Sequence, residues 1–225
     1  MTTARHPALP PVPRRALLLA ALVLGTLALV VTVAQPRGSV PGSPPRDRVA
    51  ALLESVDVVP ERVPAPGYER DCSGSSACVF GPAWTDASTA SGGGNGCSTR
   101  NDVLARDLGA QPESSERCGV AAGILVDPYT GHAVDARYSG VRGIHVDHVY
   151  PLAAAWDLGA WEWTTERRAA FANDVDHNLL AVAGAVNTRK SDSTPSDWLP
   201  PERGRHCFYA ARYLTGRQIG RLFFG

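Results

Sequence analysis

Three short stretches of this 225-residue chain hold side chains able to do chemistry. The first is Val146-Asp147-His148-Val149-Tyr150-Pro151-Leu152, where an acid and an imidazole stand side by side at the end of an apolar run. Neighbours on a strand face opposite sides, so one of the two should point inward, and a buried carboxylate needs a partner charge or a metal. The second is Asn178-Leu179-Leu180-Ala181-Val182, an asparagine opening an apolar strand. The third is Asn187-Thr188-Arg189-Lys190; on a helix Asn187 and Lys190, three apart, share a face. Lys190 is the single lysine among 22 basic residues, so this position calls for a compact ammonium where the rest of the chain uses the flat guanidinium fork.

Each stretch alone has a plainer reading. These are a structural Asp–His hydrogen bond at a strand end, a turn asparagine bonding its own backbone, and a solvated helix face. Their order and spacing carry more than the separate residues do. Asp-His-x-x-Pro closes one strand, an asparagine opens the next, and a second asparagine follows nine residues later with the lysine three beyond it.

The elements that must position these residues are mixed. The sequence predicts a helix over 99–109 with Thr99 at its N-cap, and a strand over 120–128 ended by the turn Asp127-Pro128-Tyr129-Thr130-Gly131. A return strand over 132–138 would complete a hairpin. Residues 143–152 read as extended up to Pro151, 164–174 as helical, 178–184 as a strand, and 185–192 and 207–223 as helical.

The flanks bound the setting. Arg14-Arg15 precede 19 uncharged apolar or small residues, 16–34, which predicts a signal peptide or signal anchor over 1–34 and a domain outside the cytoplasm. Residues 35–66 hold seven prolines and read as a linker with a short helix, RDRVAALLESV. The folded domain is expected over 67–225, with its motif core at 143–192. Five cysteines suit an oxidising compartment; Cys72–Cys78 and Cys97–Cys118 are the candidate pairs, which leaves Cys207 over. A zinc hydrolase of another class would need His-x-x-x-His or clustered Cys/His spacing, which the chain lacks. Beyond residue 34 the chain holds 19 basic and 22 acidic residues, which argues against indiscriminate binding of polyanions. From Glu166 onward the balance turns to nine basic against six acidic, so a polyanion site is expected in the C-terminal third.

Asp147-His148, Pro151, Asn178, Asn187 and Lys190, in this order, resemble the HNH nuclease motif in its ββα-metal form. The HNH domain of RNA-guided CRISPR effectors has a similar order. The blocks FGPAWTD (80–86), GCSTRNDVL (96–104), DPYTGHAV (127–134), RRAAFAND (167–174), NLLAVAGAVNTRKSD (178–192) and WLPP (198–201) extend the likeness across most of residues 67–210. Together they resemble secreted actinobacterial HNH-family proteins, which share their nuclease domain with the C-terminal part of GmrSD-type modification-dependent restriction enzymes.

The resemblance implies an α+β fold: a ββα-metal (HNH) nuclease core with an additional N-terminal hairpin and flanking helices, stabilised by disulfides. It implies an exported endonuclease that hydrolyses phosphodiester bonds of DNA, with RNA as a further substrate. His148 would be the general base, with a pKa ordinarily near neutrality. Asp147 and Asn187 would hold one divalent metal; such hard oxygen donors favour Mg²⁺, with Mn²⁺ or Ca²⁺ as alternatives. Asn178 would hold the loop carrying His148, and Lys190 would contact phosphate as a point charge. The partner is nucleic acid; a membrane enters only through residues 16–34. The alternative is a catalytically inactive exported binding domain on the same fold.

Around the motif, His145 and His177 read as surface or turn residues, Arg167 and Arg168 as a solvated helix face, and Trp156, Trp161 and Trp163 as core. His177 stands where the similar proteins show a shorter Asn-Asp-Pro-type connection, a departure that bears on the register of the second strand.

Overall fold

The computed structural model describes residues 43–56, 59–71, 78–108, 118–139 and 141–222. The export segment expected at 1–34 lies outside the described residues. Among those described, no helix is long and apolar enough to cross a membrane.

The protein is α+β. In chain order the helices are α1 (Arg46–Glu54), α2 (Thr99–Leu108), α3 (Ala136–Ser139), α4 (Leu152–Asp157), α5 (Thr165–Ala172), α6 (Gly184–Lys190) and α7 (His206–Leu222). The strands are β1 (Ile124–Val126), β2 (Ala133–Asp135), β3 (Ile144–His148) and β4 (Leu179–Ala183). β1 pairs antiparallel with β2, and β3 with β4, in two separate two-stranded sheets. In the second sheet Asp147 lies opposite Leu180 and His148 opposite Leu179. With α6 following β4 directly, this is a ββα unit preceded by an additional hairpin.

The β3–β4 pair is covered on both faces, which is why β4 reads as a continuous apolar run. Ile144, Val146, Leu179 and Ala181 pack with Val103, Leu104 and Leu108 of α2. Leu180 and Val182 belong to a second cluster with Val186, Phe171, Trp156, Tyr209 and Tyr213. Burying such side chains contributes roughly 1.5–3 kcal/mol each relative to exposure. Leu180 and Val182 also tie α6 and α7 to the sheet that carries the motif.

Several boundaries differ from the sequence reading, each for a local reason. Ser98, not Thr99, caps α2: its hydroxyl accepts from the N–H of Asn101 at 3.4 Å, while Thr99 is buried and donates to the carbonyl of Thr85 at 3.0 Å. The strand expected over 120–128 is confined to 124–126, with Gly123 at φ +156 before it. β2 ends at Asp135, whose carboxylate accepts from the Arg137 N–H at 2.9 Å as the chain turns into α3. The extended run expected to Pro151 ends at His148, and α4 starts at Leu152, directly after the proline. α5 is capped by Thr164, whose hydroxyl accepts from the Arg167 N–H at 3.3 Å.

Cys97 and Cys118 form a disulfide that ties the entry of α2 to the chain approaching the first hairpin. Cys78 is also disulfide-bonded; Cys72, its candidate partner, lies outside the described residues. Cys207 is free and exposed. The segment before residue 67 is fastened to the motif. Arg62 Nε donates to Asp157 at 2.7 Å and its terminal nitrogen to Asp192 at 2.9 Å. The Ala65 N–H donates to Asp157 at 2.8 Å, and Trp156 Nε1 donates to the Pro66 carbonyl at 3.1 Å.

Candidate active site

Strand β3 delivers Asp147 and His148 together, and Asn178 fixes the backbone at the point where the strand ends. The Asn178 side-chain oxygen accepts from the Tyr150 N–H at 2.8 Å, its amide donates to the Phe171 carbonyl at 3.3 Å, and its own carbonyl accepts from the Val149 N–H at 2.8 Å. One fully buried side chain thus joins the end of β3, the end of α5 and the start of β4. The extra residue before it does not break this register: His177 turns outward, with its ring bonded to the buried Asp174 carboxylate at 3.1 Å. Gly216 on α7 permits close approach here, since a Cβ at that position would lie 3.3 Å from the Tyr150 Cβ and 3.4 Å from Asn178 Oδ1.

Asp147 and His148 face opposite sides, as strand geometry demands. Asp147 is 4 % exposed; its Oδ1 accepts from Lys190 Nζ at 2.9 Å and its Oδ2 from the Tyr129 hydroxyl at 2.5 Å. Burial pushes the Asp147 carboxyl up, against the pull of Lys190 and Tyr129. Burial first, and then the neighbouring Asp147 charge, hold the Tyr129 hydroxyl well above its usual range. Tyr129 is presented by a side-chain turn in which Asp127 accepts from the Tyr129 N–H at 3.0 Å and from the Thr130 hydroxyl at 3.0 Å.

The expectation that Lys190 contacts phosphate is corrected by its surroundings. Lys190 has no exposed surface, and its ammonium donates to Asp147 and, at 2.9 Å, to the main-chain carbonyl of His148. An ammonium so enclosed cannot reach a ligand in solvent. It links the C-terminal end of α6 to the end of β3 as a single compact point of charge, which is the property lysine has and arginine lacks.

On the other side, the His148 ring stacks on Trp84 with centroids 5.4 Å apart and planes 16° from parallel. Its Nε2 lies 2.9 Å from the Ala172 carbonyl, and a carbonyl only accepts, so Nε2 carries the proton and donates. Nδ1 of the neutral ring is then the acceptor. Burial, with Arg70 nearby, lowers the His148 pKa to about 3. At neutral pH the ring is therefore uncharged, with Nδ1 unprotonated.

Asp147, His148 and Asn187 line one cleft of about 430 Å³ together with Arg70, Ser191 and Asp192. Asn187 is half-buried, and among the described residues no hydrogen bond engages its side chain. Two residues beside the motif hold left-handed backbone without being glycine: Ser191 at φ +51, directly after Lys190, and Trp84 at φ +57, under the His148 ring. Among the described residues no cluster of three His, Cys, Asp or Glu gathers for a metal. The donors on offer are the Asp147 carboxylate, whose two oxygens each keep a lone pair beyond the hydrogen bond they accept, and the unengaged Asn187 amide oxygen. Two hard-oxygen residues lining one cleft fit a divalent cation that keeps much of its own water.

The surrounding residues divide. His145 is exposed. Arg167 stacks over the Trp163 ring at 4.2 Å, and Arg168 donates to the Trp163 carbonyl at 2.8 Å, so neither is simply solvated. Trp156 is core, whereas Trp161 is 51 % exposed. Four residues that shape the site carry no sequence signal of their role: Tyr129, Trp84, Arg70 and Ala172. Tyr129 and Trp84 lie inside the blocks DPYTGHAV and FGPAWTD, so their positions are visible in the sequence and their contacts are not. Arg70 stands in a stretch with no motif, and Ala172 acts through its backbone; neither leaves a mark in composition.

Residues 98–219 match the family of the GmrSD restriction endonuclease C-terminal domain. The chain is also 34% identical, over 198 residues, to an uncharacterized secreted protein of Arthroderma benhamiae, a match that covers 88% of this chain and 87% of that protein. No solved structure matches it. The chain belongs to the GmrSD C-terminal domain family, and membership carries a nuclease-type function at the level of the family.

Proposed function

We propose that the protein is an exported, metal-dependent HNH endonuclease that hydrolyses phosphodiester bonds of DNA, with RNA as a further substrate. The observation that carries this is the convergence of Asp147, His148 and Asn187 on one cleft at the end of the β3–β4 pair. His148 acts as general base through Nδ1, because the Ala172 carbonyl holds the proton on Nε2. Trp84 fixes the ring plane. Asn178 is a positioning residue that holds the backbone following His148. Lys190 and Tyr129 orient the Asp147 carboxylate, and Asp147 and Asn187 would hold the metal. HNH nucleases generally use divalent metals; with this donor set Mg²⁺ is the first expectation and Mn²⁺ or Ca²⁺ the alternatives. When bound, the ion would supply Lewis-acid stabilisation of the charge that develops on the phosphate oxygens. The Cys97–Cys118 disulfide and the likeness to a secreted protein support action outside the cytoplasm.

A second reading has its own observation. Both Asp147 oxygens accept hydrogen bonds from within the protein, which would suit a closed, inactive domain that keeps the fold for binding. Supercoiled plasmid incubated with the oxidised protein separates the two. EDTA-sensitive nicking that disappears in His148→Ala is expected. A folded protein that cleaves with none of Mg²⁺, Mn²⁺ or Ca²⁺ would establish the binding domain instead.

A further inference from the structure

Among the eleven described residues that line the cleft, Arg70 is the one arginine or lysine. The two acids of the lining already have cations of their own: Asp147 is paired with Lys190 at 2.9 Å and Asp192 with Arg62 at 2.9 Å. Arg70 is exposed, and among the described residues no hydrogen bond or ion pair engages its guanidinium. Once these pairs are set aside, the described lining of the cleft carries one positive charge with no partner among the described residues. A phosphodiester carries one negative charge, and a planar guanidinium can present two parallel N–H groups to its non-bridging oxygens.

Arg70 is also held in place. The Glu69 carbonyl accepts from the Val79 N–H at 3.2 Å and the Asp71 carbonyl from the Cys78 N–H at 3.0 Å, so the backbone is bonded on either side of it. Upstream, Arg62, Ala65 and Pro66 are fastened to Asp157, Asp192 and Trp156. The same arginine borders a small second cavity of about 30 Å³ that it shares with Trp84, His148 and Asn173. Arg70 therefore lines both cavities that His148 lines.

We propose that Arg70 is the phosphate-binding cation of this site and grips the scissile phosphodiester, the role that the family resemblance implies for Lys190. The proposal rests on the nuclease reading above. Because Arg70 is exposed, its replacement should leave the fold intact. Cleavage of supercoiled plasmid by wild type, Arg70→Ala, Arg70→Lys and Arg137→Ala is compared; Arg137 is an exposed arginine outside the cleft, paired with Asp135. In parallel, binding of a fluorescent duplex oligonucleotide in EDTA is measured against salt. Arg70→Ala is expected to lose on the order of 100-fold in kcat/KM, as for loss of one transition-state donor. Its slope of log K against log salt should shrink by about 0.9, one phosphate contact. Arg70→Lys should recover part of the activity, and Arg137→Ala should match wild type. Wild-type kcat/KM and salt slope in Arg70→Ala overturn the proposal and leave the nuclease reading standing. If the wild type does not cleave, the nuclease reading fails by itself, and the salt slope still decides: an Arg70-dependent slope keeps Arg70 as a phosphate contact, and an unchanged slope or no binding removes it.

Discussion

Lys190 and Asp147 form a buried pair, and the chemistry of that burial decides which substitutions it tolerates. Taking away one member of a buried pair leaves an uncompensated charge, at a cost of about 3–5 kcal/mol. Lys190→Ala should therefore lower the stability measured by urea unfolding by that order. Lys190→Arg should destabilise as well, since a guanidinium is broader than the space around a side chain with no exposed surface; an arginine variant as stable as wild type would show that the pocket adapts. His148 gives a pH prediction of defined sign. Unfolded, the ring takes up a proton near its ordinary value of 6.5; folded and buried, only near 3. Between those values the unfolded state binds more protons, so His148 makes stability fall as pH is lowered from about 6.5. Asp147, pushed up by burial, acts in the opposite sense above its ordinary value of 3.8. The measurement is therefore the difference between wild type and His148→Gln in metal-free buffer: thermal unfolding of wild type should lose more on acidification from about pH 7 to about pH 5. Equal losses would mean that the folded ring titrates normally.

At the scale of elements, the segment from Arg62 to Asp71 is a strap across the site, though composition alone makes its first half a proline-rich linker. Arg62 joins the C-terminal end of α4 at Asp157 to Asp192, the second residue beyond α6. Partly exposed pairs of this kind are worth about 1 kcal/mol, so Arg62→Ala should change the unfolding midpoint little. It should instead raise KM several-fold, because it frees the strap that carries Arg70 and Tyr68 along the cleft. A protein begun at residue 67 should show the same defect; wild-type KM in both would mean that the strap is held by its remaining contacts. α5, β4 and α6 are legible in the sequence because their apolar spacing and the Thr164 cap are local signals. The strand expected over 120–128 is too long because hydrophobicity marks burial as well as strand, and only 124–126 finds a partner to pair with.

For the whole molecule, α2 holds one face of the β3–β4 pair, and the Cys97–Cys118 bridge holds the entry to α2. The bridge spans a sequence separation of 21, a loop whose closure contributes about 3 kcal/mol in the chain-entropy account. The double variant Cys97→Ala, Cys118→Ala should lower stability by that order, read from denaturant midpoints, and the folded remainder should keep its kcat. A large fall in kcat with unchanged stability would place the bridge in the site itself.

The sequence by itself determined the order of strands and helices around the motif and, through its resemblance to HNH proteins, the α+β class, the family and the candidate set Asp147, His148, Asn178, Asn187 and Lys190. A motif of this kind is an order of residues along the chain, which survives in one dimension. The sequence also marked Lys190 as exceptional without saying why. Only the tertiary structure decided that this lysine is enclosed and bonded to Asp147 and the His148 carbonyl, that Tyr129 shares the carboxylate, and that an arginine 120 residues earlier, Arg70, stands open on the cleft. Whether a charge is buried and paired or exposed and free depends on which distant segments close around it. No local pattern encodes that, because the partners meet only once the chain has folded.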